Sequence, residues 1–282
     1  MRAVIKLSSQ STREFWEIPV LYEDEHLLGL DKPSGLPVSP DRFEPGRPNL
    51  MQMLHDGIAQ GKSWAKERGL SYLRITHRLD TEASGIALFA KTKDALVKLR
   101  EVFGIEKPGI RYLALVRGVP SGAEFEVDAR IAPNATRPGV MKVDSHHGKR
   151  SRTLFKVIEK FSRYALVSCE PLTDRAHQVR VHLRNAGFPV VGDPMYGGKP
   201  LLLSRLKPDY RLKAARVERP LISRPALHCE QVLMPHPVTG ESFSVVALWP
   251  KDIEVGVKYL RRYGAGSGEM SLGTGREMSS SS

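Results

Sequence analysis

The run Thr76-His77-Arg78-Leu79-Asp80-Thr81-Glu82-Ala83-Ser84-Gly85 leads directly into the apolar residues 86–90. Residues 84–90 are typical of a strand buried on both faces, and the polar run before them is typical of a turn. Asp80 is therefore expected at the mouth of a buried strand, with an arginine two residues before it. Because the surrounding chain is strongly basic, an acid presented in this way indicates chemistry on a polyanion.

Apolar runs of strand length recur on both sides of this segment, and stretches with helical spacing are scattered among them. The helical stretches follow Asn49 and Thr92, which are plausible caps, and a third is expected at 175–186 behind Asp174. Strands mostly follow strands. This order predicts an α+β domain and argues against a doubly wound parallel sheet.

Three divisions of the chain are predicted. Residues 1–18 read as an N-terminal extension, residues 19–250 as the main domain, and residues 262–282 as a disordered tail, because that tail is rich in Gly and Ser and has little to bury. Residues 133–152 are polar and punctuated by Gly and Pro. They are expected to form a long exposed connection with basic residues at its tip.

The charge balance predicts an anionic partner. The chain has 282 residues and a formal net charge of +12, which favours nucleic acid over a neutral ligand, although solvated lysines alone could account for it. Its two cysteines, Cys169 and Cys229, are not in a C-x-x-C pair and are expected to be buried thiols. The first ten residues lack the apolar core of a signal peptide, and no run approaches the ~18 apolar residues of a membrane span. We therefore expect a cytoplasmic protein that does not enter a membrane.

Four stretches together resemble the RluA-like pseudouridine synthases. They are residues 31–38 (DKPSGLPV), 77–80 (HRLD) with 84–85 (SG) and 90–91 (AK), 111–116 (RYLALV), and 176–183 (AHQVRVHL) with 191–197 (VGDPMYG). Each is only suggestive alone, but four in this order are specific, and together they cover roughly residues 19–250, which becomes the predicted catalytic domain. The resemblance implies a mixed, mostly antiparallel central sheet flanked by helices, with the active cleft across its middle.

The resemblance also implies an activity: an isomerase (an intramolecular transferase) that converts uridine to pseudouridine in structured RNA, either rRNA or tRNA, without a cofactor. Asp80 would be the catalytic acid and could attack the sugar, attack the ring or remove a sugar proton, and these three routes stay open. Arg180 would keep Asp80 ionised by charge attraction and a bidentate hydrogen bond. Tyr112 would stack under the target base.

Four cations are candidates for RNA binding. Arg78 could fill the space left by a flipped uridine, or it could form a buried salt bridge. Lys149, Arg150 and Arg152 could contact phosphates, or they could form an ordinary solvated loop. No metal site is expected, because His177 and His182 are five residues apart and no third ligand is evident.

Two departures from the family pattern leave alternatives open. Ala83 stands where the family usually has threonine, and Asp174-Arg175-Ala176-His177 stands where it has Gly-Arg-Thr-His. The alternative function is a non-catalytic RNA-binding or RNA-folding factor on the same scaffold. A third, weaker hypothesis is a glycosidic hydrolase, which would need a second carboxylate, and Glu82 has no evident role as that acid. We expect a monomer with no obligate protein partner.

Overall fold

The computed structural model describes residues 3–9, 11–105, 109–212 and 216–264, with the backbone alone at 102–105. The strands are β1 (Val4–Ser8), β2 (Phe15–Glu23), β3 (Leu27–Lys32), β4 (Arg74–Ile75), β5 (Ser84–Ala90), β6 (Gly109–Arg117), β7 (Glu124–Asp128), β8 (Ile131–Pro133), β9 (Met141–Val143), β10 (Arg152–Lys160), β11 (Tyr164–Pro171), β12 (Leu227–Pro235) and β13 (Ser242–Val246). The helices are α1 (Leu50–Ala59), α2 (Ser63–Lys66), α3 (Lys93–Ile105), α4 (Gln178–Asn185) and α5 (Lys251–Tyr263), with short 3-10 turns at Pro194–Tyr196 and Leu203–Arg205.

One large sheet organises the described chain. Its strand order is β1-β2-β3-β5-β12-β6-β11-β10-β7, with β13 paired to β12 and β4 paired to β5. The pairing of β12 with β5 is parallel, whereas the other pairs are antiparallel. The predicted mixed, mostly antiparallel sheet is therefore confirmed.

The segment that follows Asp80 lies in the middle of this sheet. All seven residues of β5 are buried, as the apolar run predicts. Gly85 has a φ of +106°, and a Cβ added to it would lie 2.2 Å from the carbonyl oxygen of Cys229 on β12. Glycine is thus required at position 85 by the close approach of the neighbouring strand, five residues after Asp80.

The predicted N-terminal extension is wrong, because residues 4–18 belong to the main sheet. Strand β1 pairs along the whole of its length with β2, and β2 continues across position 19 to pair with β3. Ile5, Leu7 and Ile18 are buried in the core. Alternating apolar residues in β1 supply that contact, and their short span hides the pattern in the sequence.

Two helix predictions are confirmed at their starts. The side chain of Asn49 accepts a hydrogen bond from the backbone of Gln52 at 3.0 Å, and Thr92 accepts one from the backbone of Ala95 at 3.1 Å. The predicted domain end at residue 250 is wrong, because helix α5 (Lys251–Tyr263) packs Ile253, Val257 and Leu260 into the core. Residues 262 and 263 are helical and not part of a tail. The rest of the predicted tail, residues 265–282, lies outside the described residues.

The predicted long connection at 133–152 contains part of a β-hairpin. Strands β8 and β9 form a hairpin whose turn, residues 134–140, is held by Asn134: its side chain accepts hydrogen bonds from the backbone of Thr136 and Arg137. Val140 packs with Ile131, Val181 and Tyr196 in a small second core. Residues 149–152 lie at the base of this hairpin and not at its tip, since Lys149 bridges to Ile131 and Arg152 begins β10.

Within the described part of the chain, every helix is too short or too polar to cross a lipid bilayer. Cys169 and Cys229 are buried free thiols, as predicted.

Candidate active site

Asp80 and Arg180 come together from elements 100 residues apart. Asp80 lies in the turn between β4 and β5, and Arg180 lies in the first turn of α4. The Nη1 atom of Arg180 donates to Oδ2 of Asp80 at 3.4 Å and to Oε2 of Glu82 at 2.9 Å. The Asp80 side chain keeps 18% of its surface exposed, whereas that of Arg180 keeps 1%. A buried guanidinium therefore faces an accessible carboxylate.

The bidentate partner of Arg180 is Asp193, not Asp80 as predicted. The Nε and Nη2 atoms of Arg180 donate to the two Asp193 carboxylate oxygens at 2.7 and 3.0 Å, and both side chains are buried. A bidentate pair fixes the plane of the guanidinium. Only Nη1 remains for Asp80 and Glu82, so Arg180 holds Asp80 by charge and a single long hydrogen bond. Asp193 is part of the sequence motif, but its role as the anchor was not predicted.

Asp80 is held in its ionised form. Burial alone would raise its pKa, but the charges of His177 and Arg180, the Arg180 hydrogen bond and a hydrogen bond from the His177 backbone together lower the pKa below its ordinary value. His177 occupies the N-cap position of α4 with a left-handed φ of 55°. This places the amino end of the helix beside the carboxylate, where an anion is favoured.

The start of α4 differs from the prediction. The helix begins at Gln178, and Asp174 does not cap it. Buried hydrogen bonds hold the helix against β10: Nε2 of Gln178 donates to Oγ1 of Thr153 at 3.0 Å, and Nδ1 of His182 lies 2.9 Å from the same oxygen. Of the two histidines in the motif, His182 thus supports the helix that carries Arg180.

Lys32 is a site residue that sequence analysis missed. It ends β3, its residue is fully buried, and its Nζ donates to the carbonyl oxygens of Pro33, Leu36, Thr81 and Ala83 at 2.6–3.1 Å. Burial lowers its pKa to about 7, against the opposing charges of Asp80 and Glu82. The Lys32 amino group therefore joins the loop after β3 to the Asp80 turn. The signal was a lysine directly before a Pro-Ser-Gly turn.

Tyr112 faces the same cluster from β6. It is largely buried, with Cys169 and Cys229 opposite it on the two neighbouring strands, and its hydroxyl donates to the carbonyl oxygen of Arg78 at 3.3 Å. Burial, followed by the charges of neighbouring groups that include Asp80, raises its pKa well above the ordinary value. The phenol therefore stays protonated at neutral pH.

Arg78 is exposed. Its side chain has 61% of its surface accessible, and Nε lies 3.9 Å from Oδ1 of Asp174, whose side chain is 63% exposed. The alternative of a buried salt bridge is therefore wrong. The contact pairs Arg78 with the residue that replaces the glycine of the family pattern.

The small second core joins the β8–β9 hairpin to this cluster. The Tyr196 ring lies 5.0 Å from the Arg180 guanidinium carbon. Its hydroxyl accepts a hydrogen bond from the backbone of Met141 at 3.0 Å and lies 2.8 Å from Nδ1 of His177. One tyrosine thus contacts the hairpin, the arginine and the residue that caps α4.

The three basic residues at 149–152 are exposed but lie in different surroundings. The Arg152 guanidinium forms a bidentate pair with Glu126 of β7, with Nη2 to Oε2 at 2.7 Å. Arg152 is therefore already paired within the sheet, whereas Lys149 and Arg150 project from the base of the hairpin. Their contact with RNA stays a prediction.

Ala83, which stands in place of the family's threonine, is buried, and its carbonyl oxygen accepts a hydrogen bond from Lys32. Among the residues that the structure describes, no three His, Cys, Asp or Glu side chains are grouped to hold a metal ion. A cavity of about 530 Å³ lies elsewhere, between β1 and α1, and includes no residue of this cluster.

Residues 26–185 match the family described as RNA pseudouridylate synthase. The ribosomal large subunit pseudouridine synthase C of Salmonella typhi is 34% identical over 86% of this chain and 70% of its own length. The protein of the same name from Escherichia coli K12 is 35% identical over 81% of this chain and 65% of its own length. A synthase D from Xanthomonas campestris is 29% identical over 96% of this chain and 77% of its own length.

Solved structures agree with these matches. Human RNA Pseudouridylate Synthase Domain Containing 4 is 25% identical, with a TM-score of 0.66 over 86% of this chain and 92% of that one. Human RNA Pseudouridylate Synthase Domain Containing 1, at 22% identity and a TM-score of 0.60 over 90% and 91% of the two chains, shares the fold.

The chain belongs to the RNA pseudouridylate synthase family. The predicted family, fold and reaction class are confirmed: this is a family of isomerases that act on RNA. The relatives named here are synthases, which gives no support to a non-catalytic RNA-binding factor.

Proposed function

We propose that the protein converts uridine to pseudouridine in large-subunit ribosomal RNA, with Asp80 as the catalytic carboxylate. The observation that carries this proposal is an ionised, accessible Asp80 facing a buried arginine, in a chain of this family. The RNA is chosen because the relatives from Salmonella typhi and Escherichia coli are named for the large ribosomal subunit. Transfer RNA is the other substrate that the sequence analysis considered.

The reaction needs only rearrangement within one nucleotide. The bond from C1′ of the ribose to N1 of the base breaks, C1′ bonds to C5 of the rotated base, C5 loses its proton and N1 gains one. Atoms and electrons balance without an oxidant or a second substrate. Each of the three open routes begins at an ionised carboxylate, which the pKa of Asp80 supplies at neutral pH.

Arg180 keeps that carboxylate charged and oriented. Because Asp193 fixes the guanidinium plane, the Nη1 atom points at a defined position between Asp80 and Glu82. Tyr112 has a protonated hydroxyl and an aromatic ring beside Asp80, and we propose that the target base packs on this ring. Since Tyr112 is not a phenolate at neutral pH, it acts as a hydrogen-bond donor and packing surface.

Arg78 is proposed to enter the stack that the flipped uridine leaves. Its exposed guanidinium can leave Asp174 at little cost, because two exposed groups 3.9 Å apart form only a weak ion pair. Lys149 and Arg150 are proposed to contact phosphates, with Arg152 contributing only if RNA competes with Glu126.

Product analysis tests this proposal. Purified protein should form pseudouridine in an unmodified transcript of large-subunit ribosomal RNA, and transcripts of small-subunit RNA and of transfer RNA serve as comparisons. Binding should weaken steeply with salt through counterion release. If transfer RNA alone were modified, the substrate would be transfer RNA and not ribosomal RNA. If the protein bound all three transcripts but formed pseudouridine in none, the proposed activity would be refuted.

A further inference from the structure

Phe43 is an exposed aromatic side chain at the edge of the candidate site. Half of its surface is accessible, and it lies in the loop of residues 39–48 between β3 and α1. The guanidinium of Arg42 lies over its ring, 4.6 Å from the centroid. Oδ1 of Asp41 accepts a hydrogen bond from the Phe43 backbone at 2.7 Å and shapes the turn. An aromatic ring presented with a cation is well suited to stacking on a nucleobase.

The Phe43 ring also lies close to the turn of the β8–β9 hairpin. A Cβ added to Gly139 would lie 3.4 Å from Cε2 of Phe43, so Gly139 lies next to the ring and a larger residue there would press on it. Gly139 has a φ of +80°, a conformation that favours glycine. The loop of residues 39–48 and the turn of the hairpin therefore lie next to each other at this point.

Each of these two segments is anchored to a different wall of the candidate site. Arg47, in the same loop as Phe43, donates to the carbonyl oxygen of Gly35 at 2.8 Å, and the Gly35 backbone donates to Thr81, next to Asp80, at 2.8 Å. On the other wall, the hairpin is tied through Met141 to Tyr196, which lies against Arg180. Phe43 and Gly139 thus bring together a segment tied to the Asp80 side and a segment tied to the Arg180 side.

We propose that Phe43 is an RNA-binding residue that stacks on an unpaired nucleobase next to the target uridine. This inference rests on the proposed function, because the loop that carries Phe43 is bonded through Gly35 to Thr81, next to the Asp80 at which the target uridine is proposed to bind. Arg42 and Arg137 are both exposed there and supply charge for the flanking phosphates. RNA entry parts the Phe43–Gly139 contact and replaces glycine with a base on the same ring.

Four variants separate stacking from packing. Phe43→Leu keeps apolar bulk against Gly139 but removes the aromatic face, Phe43→Ala removes both, and Phe43→Trp keeps a stacking surface. Phe15→Ala is the matched control, since Phe15 is also exposed but lies on β2, opposite Ser8 of β1 at the sheet edge. The probe is the unmodified transcript of large-subunit ribosomal RNA, with affinity measured by filter binding and turnover measured under single-turnover conditions.

Phe43→Leu and Phe43→Ala should both weaken affinity for the transcript by about 5- to 100-fold, the range of one base stack. The rate at saturating enzyme should stay within about twofold of the wild type, while Phe43→Trp and Phe15→Ala bind as the wild type does. Wild-type affinity in Phe43→Leu would overturn the inference and leave Phe43 as a packing residue. If the wild type binds the transcript but forms no pseudouridine, the proposed function fails and the affinity series still decides the role of Phe43.

Discussion

Arg180 forms its bidentate hydrogen bond with the buried Asp193, and only its Nη1 atom donates to the more exposed Asp80 and Glu82. Burying the arginine costs free energy because its charge is desolvated, and the fully buried carboxylate of Asp193 offsets that cost. Asp80 can change its charge or its position during a reaction without leaving the guanidinium unpaired. This division of roles explains how a reactive acid can stay accessible beside a buried cation.

Asp193→Asn tests this division of roles. The substitution keeps the shape of the side chain but leaves the buried Arg180 without its main counter-charge, and we expect a loss of about 3–5 kcal/mol in the free energy of unfolding. Glu82→Gln is the control: it removes a carboxylate from the same guanidinium, but its side chain is 34% exposed, so the loss should be about 1 kcal/mol or less. Urea denaturation measures both. Equal losses would contradict the assignment of Asp193 as the anchor.

Sequence patterns predicted the elements that are determined by interactions between residues close together in the chain. Strand β5 follows from an unbroken apolar run, and the starts of α1 and α3 follow from Asn49 and Thr92, because burial and capping leave signals within a few residues. Strand β1 was missed because five alternating residues are too few to separate from an exposed extension. Its place in the sheet depends on β2, which the sequence does not pair with it.

The same holds for the candidate site: its motif residues were predicted, but the long-range contacts between them were not. The family motifs named Asp80, Tyr112 and Arg180, but the partner that orients Arg180 follows from three-dimensional packing. Asp193 is 13 residues from Arg180 along the chain, and nothing local marks it as the bidentate acceptor. Lys32 lies about 50 residues from two of its acceptors, the carbonyl oxygens of Thr81 and Ala83. Long-range polar contacts of this kind have no periodic signature.

Asp174→Asn should strengthen RNA binding. The carboxylate of Asp174 pairs loosely with Arg78 at the site where RNA is proposed to enter, so its removal frees the arginine and deletes a charge that repels phosphate. We expect an affinity increase of about fivefold at low salt, the value of roughly 1 kcal/mol. Asp209→Asn, which removes an exposed charge from the 206–210 region, is the control and should show a smaller gain. Filter binding over a salt series is the measurement, and equal gains in both variants would indicate a general charge effect.

The stability of the protein should fall between pH 7 and pH 5. Burial lowers the pKa of His77 to about 4 and that of His228 to about 4, whereas an unfolded histidine titrates near 6.5. In this window the unfolded chain takes up protons that the native state does not, so the free energy of unfolding decreases as pH falls. For His77 the cause is visible, since Nε2 accepts the backbone N–H of Leu88 at 3.2 Å and has no room for a proton.

The expected loss is about 2 kcal/mol for each of these two histidines over that range. Urea denaturation at pH 7, 6 and 5 gives the dependence for the wild type. His77→Gln, although less stable at pH 7, should show a dependence smaller by about 2 kcal/mol. A wild-type stability that is flat across this range would show that the native state does not lower the pKa of these two histidines.

The direct test of the catalytic assignment is single-turnover pseudouridine formation by Asp80→Asn on the unmodified large-subunit ribosomal RNA transcript. The asparagine preserves the volume and removes the ionised carboxylate, so the rate should fall by at least about 1000-fold. The variant should bind the transcript with an affinity within about twofold of the wild type, which separates chemistry from folding and binding. A variant that forms pseudouridine at the wild-type rate would contradict the account.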